Sequence, residues 1–398
     1  MKFKKISSSK INLPILVPTS KSYANRAIIL AAITKDKRIV SDIPRSSDVQ
    51  EMIVVLKELL LLREYDGNEI VITKSFPEDE VISNTTKELY LGEGGTTIRF
   101  LLTMLALGKQ KYRIKVHPRF KLRPYKDQLN ILGGLGAKIQ ESNESDILCE
   151  LQGPITLPEE LTIDCLKTTQ IASSFLLLKN KFNFEVKLIN SNSSNAYVEM
   201  TKDLLQNSLK EVYKVPADFS SAGYFIALGL FLQRITLSNI NTIDPFQADS
   251  KIFDVLDQIN ANYEMKNDLK VIPKDEYKTF FIDGSECLDL VPTLCFIAAN
   301  IEGTSKILNI KNLIYKESDR LKGIENILIT FGIKYKLLND SIEIFGSLSK
   351  HKVNEVETLS DHRLIMMGSL FIKLNGGGNI SPFEEVSKSF PNFFDILN

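Results

Sequence analysis

Four stretches of the chain share one pattern of apolar and polar positions. They are VVLKELLLLREYDGNEIVI (54–72), QLNILGGLGAKIQESNESDILCEL (128–151), VLDQINANYEMKNDLKVI (255–272) and ENILITFGIKYKLLNDSIEIF (325–345). Each opens with apolar residues at helical spacing and closes in alternation around a D-G, S-D or N-D pair, which predicts a helix followed by a hairpin. In the second, Gly133, Gly134 and Gly136 follow Leu129, Ile131 and Leu132 and suit a helix stop. A fifth stretch, KDLLQNSLKEVYKV (202–215), is a degenerate copy. A recurring helix–hairpin unit implies domains assembled from copies.

Between these units lie apolar helices with a small, polar entry: PTSKSYANRAIILAAI (18–33), GEGGTTIRFLLTMLAL (92–107), KTTQIASSFLLL (167–178), ADFSSAGYFIALGL (217–230), KESDRLKGIENIL and SDHRLIMMGSLFI. In the second, Ile98, Leu101, Leu102 and Leu105 follow the i, i+3, i+4, i+7 pattern. All six read as buried helices with Ser, Thr or Asp near the N-cap.

A chain of 398 residues exceeds one ordinary core and predicts two domains of roughly 200 residues each. The 49 basic and 49 acidic residues cancel, so any anion site must be local, and neither nucleic acid nor an anionic membrane is expected as a partner. Four cysteines without CxxC spacing and three scattered histidines argue against a metal site or a disulfide framework. The basic start MKFKKISSSKINLP lacks the apolar core of a signal peptide. No run reaches the ~18 apolar residues of a membrane span. A cytoplasmic protein is expected.

The helix entries carry the candidate chemistry. A helix N-terminus offers unpaired N–H groups and partial positive charge, a natural seat for phosphate or carboxylate. Ser20, Lys21 and Ser22 add a cation and two hydroxyls at one such start, with Arg26 one turn beyond Ser22. Gly94 and Gly95 let a ligand approach the backbone at another. Thr168, Thr169 and Gln170 open a third. Each hydroxyl by itself is a helix cap; capping does not require the cations beside it. Arg119, Lys121 and Arg123 cluster in HPRFKLRP, Lys316, Glu317 and Arg320 in KESDR, His362 and Arg363 in DHR, and Lys388 in SKSFP. Such clusters in a charge-balanced chain point to substrates with several negative charges.

In order along the chain, PTSKSYANRA, LGEGGTTIRF, PRFKLRP, TTQ, SNAYVEMT, ADFSSAGYF, LDLVPT, NLIYKESDRL, SDHRL and SKSFPNFF resemble the shikimate branch of the enolpyruvyl transferase family. The resemblance runs from about Pro18 to Phe394. It implies an α/β fold of two similar domains, each of three helix-and-sheet units around a pseudo-threefold axis, barrel-like but inside out, with buried helices. It places residues 1–18 plus 217–398 in the first domain and 19–216 in the second, with substrates in the cleft between them. The implied reaction moves the enolpyruvyl group of phosphoenolpyruvate to the 5-hydroxyl of shikimate 3-phosphate, without cofactor or metal, in a monomer.

Residue by residue, the resemblance assigns shikimate 3-phosphate to Lys21, Ser22, Arg26, Thr168, Thr169, Gln170, Ser194, Tyr197, Asp289, Asn312 and Lys316. It assigns phosphoenolpyruvate to Lys21, Gly95, Arg123, Gln170, Arg320, Arg363 and Lys388. Asp289 and Glu317 are the implied proton-transfer carboxylates, with Lys21 assisting and His362 as a further catalytic candidate. Which carboxylate takes the hydroxyl proton stays open at this level.

Four positions depart from the family pattern: Thr19 for glycine, Glu93 for asparagine, Thr168 and Thr169 for a serine pair, and Phe100 for proline. Retained Gly95 implies sensitivity to glyphosate. The UDP-N-acetylglucosamine branch, the nearest alternative, carries a cysteine in the loop that reads HPRFKLRP here, and this loop has none. A non-catalytic phosphate-binding relative is the third reading, and it is disfavoured because Asp289 and Glu317 are both present.

Overall fold

The computed structural model describes residues 2–191, 194–207, 211–347 and 352–398. The chain forms two compact units, Met1–Pro18 with Ala217–Asn398, and Thr19–Pro216.

Three helices pack on one another at the centre of each unit. In Thr19–Pro216 they are Lys21–Ile33, Gly95–Leu105 and Gln170–Leu178. In the other unit they are Phe219–Phe231, Val291–Ala299 and His362–Leu374. Their residues are buried almost throughout, including all of Val291–Ala299. A helix apolar on every side is stable only inside a core.

Small sheets surround these helices, and the expected helix–hairpin units build them. Ser47–Glu58 leads into strands Leu62–Tyr65 and Glu69–Ile72, and Lys126–Gly134 into Lys138–Glu141 and Ile147–Gln152. Ile252–Gln258 leads into Asn262–Met265 and Leu269–Ile272, and Arg320–Thr330 into Lys334–Leu338 and Ser341–Gly346. In three cases the hairpin pairs antiparallel with a strand that has a parallel edge neighbour. Those parallel pairs are Arg38–Ser41 with Val212–Lys214, Lys111–Lys115 with Lys87–Tyr90, and Gly303–Leu308 with Phe281–Asp283. In the fourth, Ile235–Leu237 keeps only a single parallel bridge, Ile15 to Leu237. Each unit holds three separate sheets among the described residues, and none closes into a barrel.

Three expectations need correction. The helix Arg320–Thr330 buries only Arg320, Gly323, Ile324, Ile327 and Leu328, so it is an amphipathic surface helix of a hairpin unit. The third buried helix of that unit is instead Val291–Ala299, entered through LDLVPT. Gly133 and Gly134 lie inside the last helical turn, and the stop is made by Gly136 at φ 106°. The degenerate fifth copy yields the helix Ala196–Asn207 and the strand Val212–Lys214. Its residues 208–210 lie outside the described residues.

Candidate active site

In the Thr19–Pro216 unit the three central helices begin close together. Ser20 caps the first, its hydroxyl accepting from the Tyr23 N–H. This turns Lys21 toward Asp48, with Nζ 2.8 Å from Oδ2. Asp48 also lies against Gly94, where a Cβ would meet its carboxyl carbon at 2.7 Å, and its carbonyl accepts from the Thr97 hydroxyl at 2.8 Å. Gly95, the first residue of the second helix, lies flat against Arg123, and a Cβ there would fall 2.6 Å from the guanidinium nitrogens. An alanine would drive its methyl into that cation.

At the third helix, the Gln170 N–H donates to the Thr168 hydroxyl at 3.2 Å. The Thr169 hydroxyl donates to the Ser194 carbonyl at 3.2 Å. Ser194 takes φ 57°, a left-handed conformation that turns the chain at this point. Arg26 is 1% exposed and donates to the Thr201 hydroxyl at 2.8 Å, the Ser22 carbonyl at 2.9 Å, the Tyr197 carbonyl at 3.0 Å and the Ser173 hydroxyl at 3.4 Å. Burial lowers its pKa to about 10, with Tyr197, Tyr23 and Tyr213 pulling the other way. Ser22, Arg26, Thr168, Thr169, Gln170, Ser194 and Tyr197 therefore belong to one hydrogen-bonded neighbourhood.

The departures from the family pattern have visible partners. Phe100 lies under the Arg26 guanidinium, 5.4 Å from ring centroid to cation, as a proline could not. The Glu93 carboxylate is 3.6 Å from Nδ1 of His117, the residue that caps the turn Pro118–Leu122.

In the other unit Asp289 is the hub. Its Oδ1 lies 2.7 Å from Arg320 Nη1 and 3.2 Å from Lys316 Nζ, and its Oδ2 2.7 Å from Arg363 Nη2. Burial by itself would raise the Asp289 carboxyl. Arg363, Lys316 and Arg320 outweigh it and hold the group well below the usual carboxylate range. Arg320 also donates from Nε to Asp361 Oδ2 at 2.8 Å, while Asp361 Oδ1 caps the helix by accepting from the Arg363 N–H at 2.9 Å. Next along that helix, His362 is 1% exposed, with Nδ1 2.8 Å from Glu317 Oε2. Asn312 lies in the turn Lys311–Tyr315 that ends at Lys316. Lys388 closes the turn Glu384–Lys388, which packs on the helix His362–Leu374.

Glu317, Asp361 and His362 offer ligand atoms within 4.8 Å of one another, a spacing a metal ion would accept. Arg320 already neutralises Asp361 at 2.8 Å, so the position a cation would compensate has a guanidinium in it.

Asp48, Arg99, Asp249 and Asp361 belong to these clusters, and sequence reasoning passed over all four. Asp361 alone had a signal, its N-cap position in SDHR. Asp249 is 2% exposed and accepts from the Ser220 hydroxyl at the start of Phe219–Phe231. Burial pushes its carboxyl up to about 7, with Asp289 and Asp218 adding to the rise and Arg363 and Ser220 opposing it. Between about pH 4 and that value the native fold retains a proton that the unfolded chain has released, so stability falls as pH rises across this window. Asp249→Asn removes this dependence. Urea unfolding near pH 5 and near pH 8 is expected to show the variant gaining more over the native protein at the higher pH; equal differences at both would contradict it.

Known proteins resemble this chain in sequence and in fold. The family model described as EPSP synthase (3-phosphoshikimate 1-carboxyvinyltransferase) matches residues 6–208 and 206–397. A 3-phosphoshikimate 1-carboxyvinyltransferase of Pyrococcus abyssi is 30% identical, over 96% of this chain and 93% of its own length. One from Clostridium acetobutylicum is 28% identical, over 99% and 96%. Among solved structures, an EPSP synthase from Acinetobacter baumannii has a TM-score of 0.76 at 20% identity, covering 98% of this chain and 96% of that one. The enolpyruvyl transferase NikO from Streptomyces tendae has a TM-score of 0.75 at 13% identity, covering 99% and 96%. At these identities the two structures speak for the fold.

Proposed function

Because this chain belongs to the EPSP synthase family, we propose that its two side-chain clusters carry out the family's reaction, the transfer of the enolpyruvyl group of phosphoenolpyruvate to the 5-hydroxyl of shikimate 3-phosphate. The reaction serves aromatic amino acid biosynthesis. In its first step the 5-hydroxyl oxygen bonds to C2 of phosphoenolpyruvate, the hydroxyl proton leaves, and C3 takes a proton to become a methyl group. In its second step the C2–O bond to phosphate breaks, C3 gives back a proton, and the enolpyruvyl ether and phosphate are formed.

Two polyanions repel, so the first requirement is positive charge held in place. Arg123 beside Gly95, together with Lys21, Gln170, Arg320, Arg363 and Lys388, takes phosphoenolpyruvate. Thr168, Thr169 and Ser194 hold the phosphate of shikimate 3-phosphate. Ser22, Arg26, Gln170, Tyr197, Asp289, Asn312 and Lys316 form the rest of the acceptor's surroundings, and Lys21 serves both substrates.

Glu317 receives the hydroxyl proton, and His362 Nδ1, at 2.8 Å, orients it. Asp289 is a poorer base because three cations depress its proton affinity; its role is to position Lys316, Arg320 and Arg363. Lys21 assists at C3. The single observation that carries the reading is the Asp289 knot, in which cations from KESDR and DHR meet one carboxylate from LDLVPT. The reading takes the enzyme to work in the cytoplasm as a monomer, with no nucleic acid or membrane partner. No helix among the described residues is long and apolar enough to cross a membrane.

The test is phosphate release from purified protein with shikimate 3-phosphate and phosphoenolpyruvate, with UDP-N-acetylglucosamine as acceptor in a parallel arm. Release with the first acceptor and its suppression by glyphosate are expected. Release only with the second acceptor would move the chain to the other branch, and release with neither would leave the non-catalytic reading.

A further inference from the structure

Arg99 is matched to no substrate, yet it touches three of the segments assigned to phosphoenolpyruvate. It is the fifth residue of Gly95–Leu105 and is 1% exposed. Its Nη1 donates to the Gly95 carbonyl at 3.1 Å and to Gln170 Oε1 at 2.6 Å, and its Nη2 to the Pro124 carbonyl at 2.6 Å. Pro124 follows Arg123 directly. The guanidinium also lies over the ring of Phe120, 5.4 Å from its centroid, in the turn that leads to Arg123.

A buried guanidinium ordinarily faces a carboxylate. The three acceptors of Arg99 at hydrogen-bond distance are neutral, two backbone carbonyls and a side-chain amide. The amide is the informative one, because it has an acceptor end and a donor end. A guanidinium only donates, so it fixes which end of Gln170 faces it. Rotated by half a turn, the Gln170 NH2 would oppose the Arg99 N–H groups. Held as it is, Nε2 points the other way and donates to the Thr96 hydroxyl at 3.0 Å, beside Gly95.

From this geometry we infer that Arg99 is a positioning residue for phosphoenolpyruvate: it sets the Gln170 amide with its donor end toward Thr96 and Gly95, and it ties the Gly95 start and the Arg123 loop to that amide. The inference rests on the proposed assignment of Gly95, Arg123 and Gln170 to phosphoenolpyruvate. Arg99 acts on the substrate through the Gln170 amide.

A double-mutant cycle separates positioning from a general structural role. Steady-state kinetics on the native protein, Arg99→Lys, Gln170→Ala and the double variant would be read alongside thermal unfolding. Lysine keeps the charge and loses the planar fork that spans three acceptors. Arg99→Lys is expected to raise KM for phosphoenolpyruvate about tenfold, as for loss of a hydrogen bond to a charged group, with kcat changed less than about threefold. In the Gln170→Ala background the same change is expected to add little, because the group it acts through is gone. Losses that simply add in the two backgrounds would overturn the inference. Should Arg99→Lys fail to fold, Phe120→Leu, which withdraws only the supporting ring, replaces it. It is expected to raise the same KM in the native background and not with Gln170→Ala, and equal effects in both would overturn the inference. A native protein inactive on the two substrates removes the underlying site assignment and this inference together. An active native protein with additive losses removes this inference alone.

Discussion

Glu317→Gln is expected to lower kcat by roughly 10²–10⁴-fold, the usual contribution of a positioned acid–base group, while KM for phosphoenolpyruvate stays near its native value. Glutamine has nearly the same shape and retains an oxygen that can accept from His362 Nδ1, where the native carboxylate stands at 2.8 Å. The local fold should therefore survive. What disappears is an oxygen able to keep a proton. Glu317 is the stronger candidate because the other carboxylate is electrostatically committed: Asp289 is shared among Arg363, Lys316 and Arg320, and every one of them stabilises its ionised form. His362, buried and 2.8 Å from Glu317, holds the carboxylate in place. Phosphate release at saturating substrate, with thermal unfolding as a control for folding, decides the matter. Unchanged turnover in the variant would remove Glu317 from the mechanism.

Asp289→Ala is expected to destabilise its unit by about 3–5 kcal/mol, the usual cost of leaving buried partner charges uncompensated, and to abolish most of kcat/KM. Arg320 and Arg363 each stand 2.7 Å from Asp289, and Lys316 stands 3.2 Å away, so its loss removes the carboxylate that all three cations share, while Arg320 keeps Asp361 at 2.8 Å. The pH dependence has a definite sign. The folded pKa of Asp289 is depressed, so its stabilising contribution is complete above the unfolded value of about 3.9 and is lost as pH falls toward the folded value. The stability gap between native protein and variant is thus expected to be full at neutral pH and to narrow below about pH 4. Urea unfolding as a function of pH measures it. Equal midpoints at neutral pH would mean that the cation cluster does not depend on Asp289.

The same residues show where sequence reasoning reaches and where it stops. Helix–hairpin units were legible because their geometry is local: apolar spacing of three to four residues, then two, interrupted by Asp66-Gly67 or Asn339-Asp340, specifies a helix and a hairpin with no reference to the rest of the chain. The helix starts were legible for the same reason, since Ser20, Asp218 and Asp361 cap residues two or three positions away. The surface helix Arg320–Thr330 was misread as buried because KESD, which does lead into it with Asp319 at the N-cap, drew the eye from Lys322 and Asn326, whose exposure marks a solvent face beyond the entry.

By itself, then, the sequence determined the repeating elements, the helix entries with their cations, and a family whose motifs lie in order along the chain. Tertiary structure alone decided which of those charges meet. Arg320 finds Asp361 across 41 positions, Arg99 finds Gln170 across 71, and Arg363 finds Asp289 across 74. No periodicity encodes such pairs, because spacing in a chain carries geometry over about one helical turn. Beyond that, the partner of a buried charge is set by how the helices pack, and the low-dielectric interior makes the choice of partner count.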